Sequence, residues 1–336
     1  MRRPQYIIVL DGSDYKAMYE HMFGELSERD DVTFVTDEVK NTKVKNFFLR
    51  NKVRKLTAGR LDFIAYEENN LYKAICYYSK KEIPVYVIFL NATFLYNSYL
   101  PETLLRYKKN NKNVKYILFY LDIMNVGVSM NADKLRKCGV FDLVYSIDAN
   151  DVKNTNAIFW RTFYSKNERY ARIAPTEDMY FCGVSKGRTQ ILSGIVKEAE
   201  AHSAKVKLDI VSYESTELLK DFSFVKIHEP GDFLSYPEVL SNELKSSVIL
   251  EIVQKGQVAP TLRPYEAVLY NRKLLTNNRN IMDFPYWNPK YMQFFDRIED
   301  IDWEWVKDRN PIDYKYDGRF SPEKLLDDIN ERLSGK

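Results

Sequence analysis

The sequence predicts an α/β protein of two domains, each built on a parallel sheet, and three observations lead there. Its 336 residues exceed the usual span of one hydrophobic core. Short apolar runs alternate with stretches of helical periodicity, the pattern of parallel strands covered by helices. A polar stretch at residues 166–178, carrying Asn167, Arg169, Arg172, Pro175, Thr176 and Glu177, is followed by a new strand-turn-helix-strand unit, so the pattern restarts.

In the first half, strands are expected at 6–10, 32–35, 85–90, 116–121 and 143–146, runs rich in Val, Ile, Tyr and Phe that end in turn formers or charges. Between them, residues 40–60 carry Lys40, Lys43, Lys45, Arg50, Lys52, Arg54, Lys55 and Arg60 with Phe47, Phe48 and Leu49 interleaved. A helix or lid with a solvated basic face is one expectation for this stretch, and a contact with an anionic membrane surface is the other. The second half opens with a strand at 179–182, the turn Gly183-Val184-Ser185-Lys186-Gly187-Arg188 and a helix at 189–202, where Ile191, Leu192, Ile195, Val196 and Ala199 fall on one face. Strands at 206–211, 248–253 and 273–276 and helices at 235–245 and 263–270 follow, the last helix entered through Pro264, whose missing N–H costs nothing in a first turn. Leu325, Leu326, Ile329 and Leu333, behind Pro322, make a terminal amphipathic helix. The expected division is 1–165, 179–297 and a C-terminal helical segment, 298–336, that crosses back to the first domain.

Composition narrows the function classes. Hydrophobic residues are 45% of the chain and charged residues 29%, which excludes extended disorder. A net charge of +3 is too small to steer nucleic acid, so no nucleic-acid partner is expected and any anion site is local. Cys76, Cys138 and Cys182 are widely spaced and form neither a disulfide framework nor a zinc motif, which fits a reducing compartment. The apolar run at 6–10 is too short for a signal peptide and no run reaches membrane length, so a cytoplasmic location is expected, with peripheral contact at the inner face of a membrane as an extension.

Two constellations carry chemistry. At the 183–188 turn, glycines bring the backbone close, a helix N-terminus offers free N–H groups, and Lys186 and Arg188 add positive charge where a diphosphate would lie; a plain turn with two solvated cations is the alternative. At 250–266 a strand ends in Glu251, a loop with Gly256 and Gln257 follows, and a helix begins with Arg263 and Glu266 in its first turns. Such a loop lies outside the carboxyl end of the sheet, where open α/β sheets bind ligands. Arg263 opposes the helix dipole there, so its partner is a ligand anion or, locally, Glu266.

These residues resemble the nucleotide-sugar half of GT-B glycosyltransferases from capsule, exopolysaccharide and lipopolysaccharide gene clusters. The likeness runs through Ile249-Leu250-Glu251-Ile252, Gln257, Thr261-Leu262-Arg263-Pro264-Tyr265-Glu266 and Lys273-Leu274-Leu275-Thr276-Asn277-Asn278, and on to Tyr286-Trp287-Asn288-Pro289 and Phe295-Asp296-Arg297. It is specific from about residue 179 to 297 and architectural before that. The resemblance implies two Rossmann-like domains with parallel sheets facing across a cleft, a nucleotide-sugar donor, and a glycan or glycolipid acceptor. By the same resemblance Glu266 holds the ribose hydroxyls, while Lys186, Arg188 and Arg263 meet the diphosphate beside Gly183. Val258 stands where many retaining relatives place the first carboxylate of a Glu-x(7)-Glu pair, so sugar contacts fall to Gln257 or Thr261.

In the first half, Asp122 follows the strand at 116–121 and Asp11-Gly12-Ser13 follows the strand at 6–10. A carboxylate at such a strand end can take the proton of an acceptor hydroxyl, and Asp122 is the candidate base, with helix capping as the alternative. His21, His202 and His228 share no motif. The Asp300-Ile301-Asp302 triplet lies in the acidic C-terminal region and not at a strand end, so neither a metal nor another cofactor is expected. Transfer of a different group, such as a phosphoalditol, and a non-catalytic binding module are the other functions this architecture allows.

Overall fold

The computed structural model describes residues 3–10, 15–36, 70–93, 101–124, 130–254 and 258–335. The basic stretch 40–60, Asp11, Gly12, Ser13 and Gln257 lie outside them. The chain forms two compact units, Met1–Phe163 with Pro322–Lys336, and Tyr164–Ser321.

The first unit contains β1 (Gln5–Leu10), α1 (Lys16–Met22), β2 (Val32–Thr36), α2 (Asn70–Ser79), β3 (Val85–Leu90), α3 (Pro101–Asn110), β4 (Val114–Tyr120), α4 (Met130–Lys137), β5 (Leu143–Ser146), α5 (Ala149–Asn154) and β6 (Ile158–Phe159). Its sheet runs β2-β1-β3-β4-β5-β6, with every neighbouring pair parallel. Every residue of β1 and β3 is buried, as expected of strands covered on both faces, and this is why they read as unbroken apolar runs. Ile7, Val9, Val87, Phe89, Leu118 and Tyr120 pack on one face against Leu71 and Ile75 of α2.

The second unit contains α6 (Glu168–Ala171), β7 (Glu177–Val184), α7 (Thr189–Ala201), β8 (Val206–Val211), β9 (Val225–His228), α8 (Tyr236–Leu244), β10 (Ser246–Glu251), α9 (Arg263–Leu269), β11 (Lys273–Thr276), β12 (Met292–Phe294) and α10 (Trp303–Lys307). Its sheet runs β12-β11-β10-β7-β8-β9, again all parallel. The order reverses between β7 and β10, whose carboxyl ends therefore bound the crevice in which such sheets take ligands. Residues 298–321 stay with this unit, where the expected division had assigned them to a crossing segment. The physical reason is α10: Trp303 and Val306 are buried in the core that β7 and β10 share with α7. The Lys273 ammonium donates to the carbonyls of Trp305, Val306 and Asp308 at the end of α10, satisfying groups a helix terminus leaves open.

The last helix, α11 (Pro322–Ser334), belongs to the first unit. Leu325, Leu326 and Ile329 are buried, the Tyr6 hydroxyl donates to the Leu326 carbonyl at 3.1 Å, and the Tyr145 hydroxyl donates to Asp328 at 2.7 Å. Burying those three side chains is worth about 5 to 8 kcal/mol before ordering costs. Among the described residues no helix is long and apolar enough to cross a membrane.

Candidate functional site

The carboxyl end of β7 turns sharply. Gly187 has φ of 76° and Lys186 a φ of 27°, a left-handed backbone that suits glycine and strains lysine. Gly183 has no side chain for a reason of space, since a Cβ there would meet the Phe181 ring at 3.0 Å and Arg188 Nη1 at 3.7 Å. Ser185 pins the turn to the next loop: its N–H donates to the Val211 carbonyl at 2.9 Å, and its hydroxyl accepts the Tyr213 N–H at 3.0 Å. Lys186 is exposed, with its ammonium 5.9 Å from the centre of the Tyr213 ring. Arg188 is half-buried and donates from Nη1 to the Ile252 carbonyl at 2.7 Å, which ties the loop after β7 to the loop after β10 across the switch point. Burial, helped by the charge of Arg263, lowers the Arg188 pKa from its ordinary value, the direction that a nearby anion opposes.

An anion already sits at this helix start. Helix α7 has no cap from its own first residues, and the Glu214 carboxylate supplies one from the loop after β8. It accepts the Gly187 N–H at 2.9 Å and the Thr189 hydroxyl at 2.7 Å, and these donors hold its pKa below the usual carboxylate range. The signal for Glu214 in the sequence was a carboxylate just past the strand that neighbours β7. Only the strand order makes that neighbour relation visible.

The loop after β10 is organised by a second carboxylate. Glu251 ends β10, is buried, and accepts the Thr261 N–H at 2.9 Å and the Thr261 hydroxyl at 2.6 Å on Oε1, with the Thr276 hydroxyl at 2.6 Å on Oε2. Thr261 Oγ1 accepts the Arg263 N–H at 3.2 Å, so Glu251 sets the start of α9 through Thr261. A single charge at the end of the apolar run Val248-Ile249-Leu250 was the readable sign of that clamp. Asn277 and Asn278 complete the lacing, Asn277 accepting the Val253 N–H at 2.8 Å and Asn278 donating to the Val258 carbonyl at 3.3 Å.

Arg263 does not pair with Glu266. Its Nε lies 3.0 Å from Glu243 Oε1 of α8, and its Nη2 donates to the Cys182 carbonyl at 3.2 Å. The charge that opposes the dipole of α9 therefore meets the carboxyl group of a residue twenty positions upstream. Glu266 is fully buried; its Oε1 accepts the Tyr236 hydroxyl at 2.6 Å and the Tyr164 hydroxyl at 3.3 Å, and the two hydroxyls bond to each other. Gly183, Lys186, Arg188 and Thr261 thus stand around the carboxyl ends of β7 and β10, and Arg263 and Glu266 enter a buried polar cluster.

In the first unit, Asp122 stands two residues past β4, half-buried, with Oδ1 accepting the Ile123 N–H at 2.8 Å. Burial raises its pKa, and the charge of Asp151 adds to the shift. Beside it, Asn91 accepts the Leu121 N–H at 2.9 Å and fixes the loop after β4 to the end of β3. Among the histidines, His228 is buried 2.9 Å from Asp209, and His202 stacks on Trp303, both packing positions.

No protein-family model and no curated protein matches the sequence. Solved structures do match. The chain is similar to a glycosyltransferase from Rickettsia africae ESF-5, at 11% identity over 100% of both chains with a TM-score of 0.54. It is similar to Anabaena HepE in complex with UDP and glucose, at 11% identity over 99% of this chain and 100% of that one, TM-score 0.53. It is also similar to an alpha-glucosyltransferase in complex with UDP-glucose and DNA containing an abasic site, at 12% identity over 98% of this chain and 100% of that one, TM-score 0.59. At these identities the likeness is one of fold, and the fold, two parallel six-stranded sheets flanked by helices, is that of the GT-B glycosyltransferases.

Proposed function

We propose that this protein is a glycosyltransferase that moves a sugar from a nucleotide-sugar donor, held by the second unit, to a glycan or glycolipid acceptor in bacterial surface polysaccharide synthesis. The observation that carries the donor site is the anion seat at the switch point, where the Gly187 N–H and the Thr189 hydroxyl already converge on a carboxylate beside Lys186 and Arg188. A diphosphate presents more charge and more acceptor atoms to the same donors than Glu214 does. In the transfer step the bond from the anomeric carbon to the diphosphate oxygen breaks and the bond to the acceptor oxygen forms. The leaving diphosphate gathers negative charge, which Lys186, Arg188 and the N-terminus of α7 stabilise once Glu214 has yielded its place there. The acceptor proton passes to Asp122, whose raised pKa makes it a stronger base than an exposed aspartate. Neither a metal nor another cofactor has a part in this scheme, and the polysaccharide role and the inner-membrane location rest on the sequence resemblance.

For Glu266 the ribose role carries a condition. Its Oε1 is taken by two tyrosine hydroxyls, so a ribose hydroxyl reaches that oxygen only where Tyr236 yields. The test of the whole proposal is release of nucleoside diphosphate from a panel of UDP- and GDP-sugars, with and without EDTA. Turnover that persists in EDTA is the expected result, and turnover restored only by manganese or magnesium would contradict the metal-free scheme.

A further inference from the structure

Two glutamates share the interior of the second unit with one arginine. Glu243 of α8 and Glu266 of α9 are 1% and 0% exposed, and they lie close enough for the Glu266 charge to act directly on Glu243. The groups that face them are Arg263 on α9, Tyr270 just past it, Tyr236 on α8, Tyr164 ahead of α6, and Cys182 on β7. Arg263 is the one positive charge in this set. With both carboxyls ionised the cluster would hold a net negative charge away from water, the situation that interiors avoid by taking up a proton. The hydrogen-bond inventory says the same. Glu266 Oε1 accepts two phenols, while among the described residues neither Glu266 Oε2 nor Glu243 Oε2 has a hydrogen-bond donor, and Glu243 Oε1 has only the ion-pair contact with Arg263 at 3.0 Å. Two carboxylates side by side offer acceptors only, so the contact between them becomes a bond when one carries a hydrogen.

We propose that Glu243 is a neutral carboxylic acid at physiological pH, that its hydroxyl donates to Glu266, and that it thereby positions the Glu266 carboxylate. One proton balances the charge of the cluster against Arg263 and gives Glu266 Oε2 the donor it otherwise lacks. Burial and the neighbouring Glu266 charge both push the Glu243 pKa well up, with Arg263 opposing. The last part, positioning of Glu266 for a nucleotide, rests on the donor site proposed above; the proton itself does not.

The sign of the pH effect follows. A carboxyl whose pKa is raised on folding holds a proton that the unfolded chain has released, so stability falls as pH rises from its ordinary value of 4.5 toward its folded value. Glu243→Gln is neutral at every pH and its amide donates to Glu266 as the acid does. We expect E243Q to melt within about 2 °C of the wild type near pH 7. We also expect the stability difference between the two proteins to grow with pH by one proton's worth of slope. The infrared spectrum of the wild type at pH 7 should show a protonated-carboxyl band that E243Q lacks. Collapse of E243Q together with no such band in the wild type would overturn the proposal, making Glu243 the ionised partner of Arg263. The band decides the matter alone if E243Q fails to fold. A UDP titration adds the positioning test: Glu243→Ala is expected to weaken affinity about tenfold and Glu243→Gln to restore it. Equal affinity in E243A and wild type would remove the positioning role. Absence of UDP binding in the wild type would instead remove the donor site and leave the proton to be judged by band and slope.

Discussion

Arg263 shows how far single residues can be read from sequence. Its misfit with the dipole of α9 was legible and pointed to a missing partner; the partner, Glu243, was not, because α8 and α9 bring the two together only in the fold. Glu214 was missed for the same reason, since the loop after β8 meets the turn after β7 across the sheet. Glu214 also supplies a test at this scale. If its carboxylate occupies the seat of a diphosphate, Glu214→Gln removes a competing like charge, and UDP or pyrophosphate should bind about three- to tenfold more tightly at low salt. Calorimetry checks this, and weaker binding in the variant would assign Glu214 to support of the ligand. For Asp122 the raised pKa has a signed consequence. The base works deprotonated, so activity should fall on the acid side with a midpoint above 3.8, the ordinary aspartate value. Asp122→Asn should lower kcat about a hundred- to ten-thousandfold above that midpoint and by less below it. A variant with unchanged kcat would take the base role away from Asp122.

The elements were the most legible level. The expected helix at 235–245 is α8, Tyr236–Leu244, started by a capping box in which Ser235 and Glu238 satisfy each other's end of the turn. Pro264 sits in the first turn of α9 as its fixed geometry allows. What escaped were β6, β9 and β12, strands of two to four residues that show no period and form no unbroken apolar run. Contacts between elements also stayed hidden. Gly194, in the middle of α7, reads as a weak point in a helix, yet a Cβ there would lie 2.2 Å from Ile298 Cδ1. The space beside Gly194 is filled by the end of the Ile298 side chain, from the turn Ile298–Asp300. Gly194→Leu should therefore destabilise the second unit by about 1 to 3 kcal/mol through overpacking, measured by urea unfolding. A neutral result would mean that the turn at Ile298 moves away freely.

For the whole molecule, the repeated α/β pattern was enough to give two parallel sheets, and the specific part of the resemblance began where the second sheet begins. Residues 298–321 were misassigned because their anchors, Trp303 and Val306, sit on a helix of five residues flanked by loops without periodicity. Helix α11 was readable, since Leu325, Leu326 and Ile329 make one stripe and that stripe is buried in the first unit. Placing a charge on it, as in Leu326→Asp, should cost about 3 kcal/mol or more and lower hydrogen-exchange protection in β1 and β5, which bond to α11 through Tyr6 and Tyr145. Unchanged protection there would show that the helix contributes little to that unit. The central claim, that the second unit holds a nucleoside diphosphate at the switch point of its sheet, is tested most directly by hydrogen exchange on the full chain with and without millimolar UDP or GDP. The expected result is slower exchange at the amides of residues 186–189, with a change in the 212–216 loop as Glu214 leaves its seat; unaltered exchange in both segments with every nucleoside diphosphate would contradict the claim.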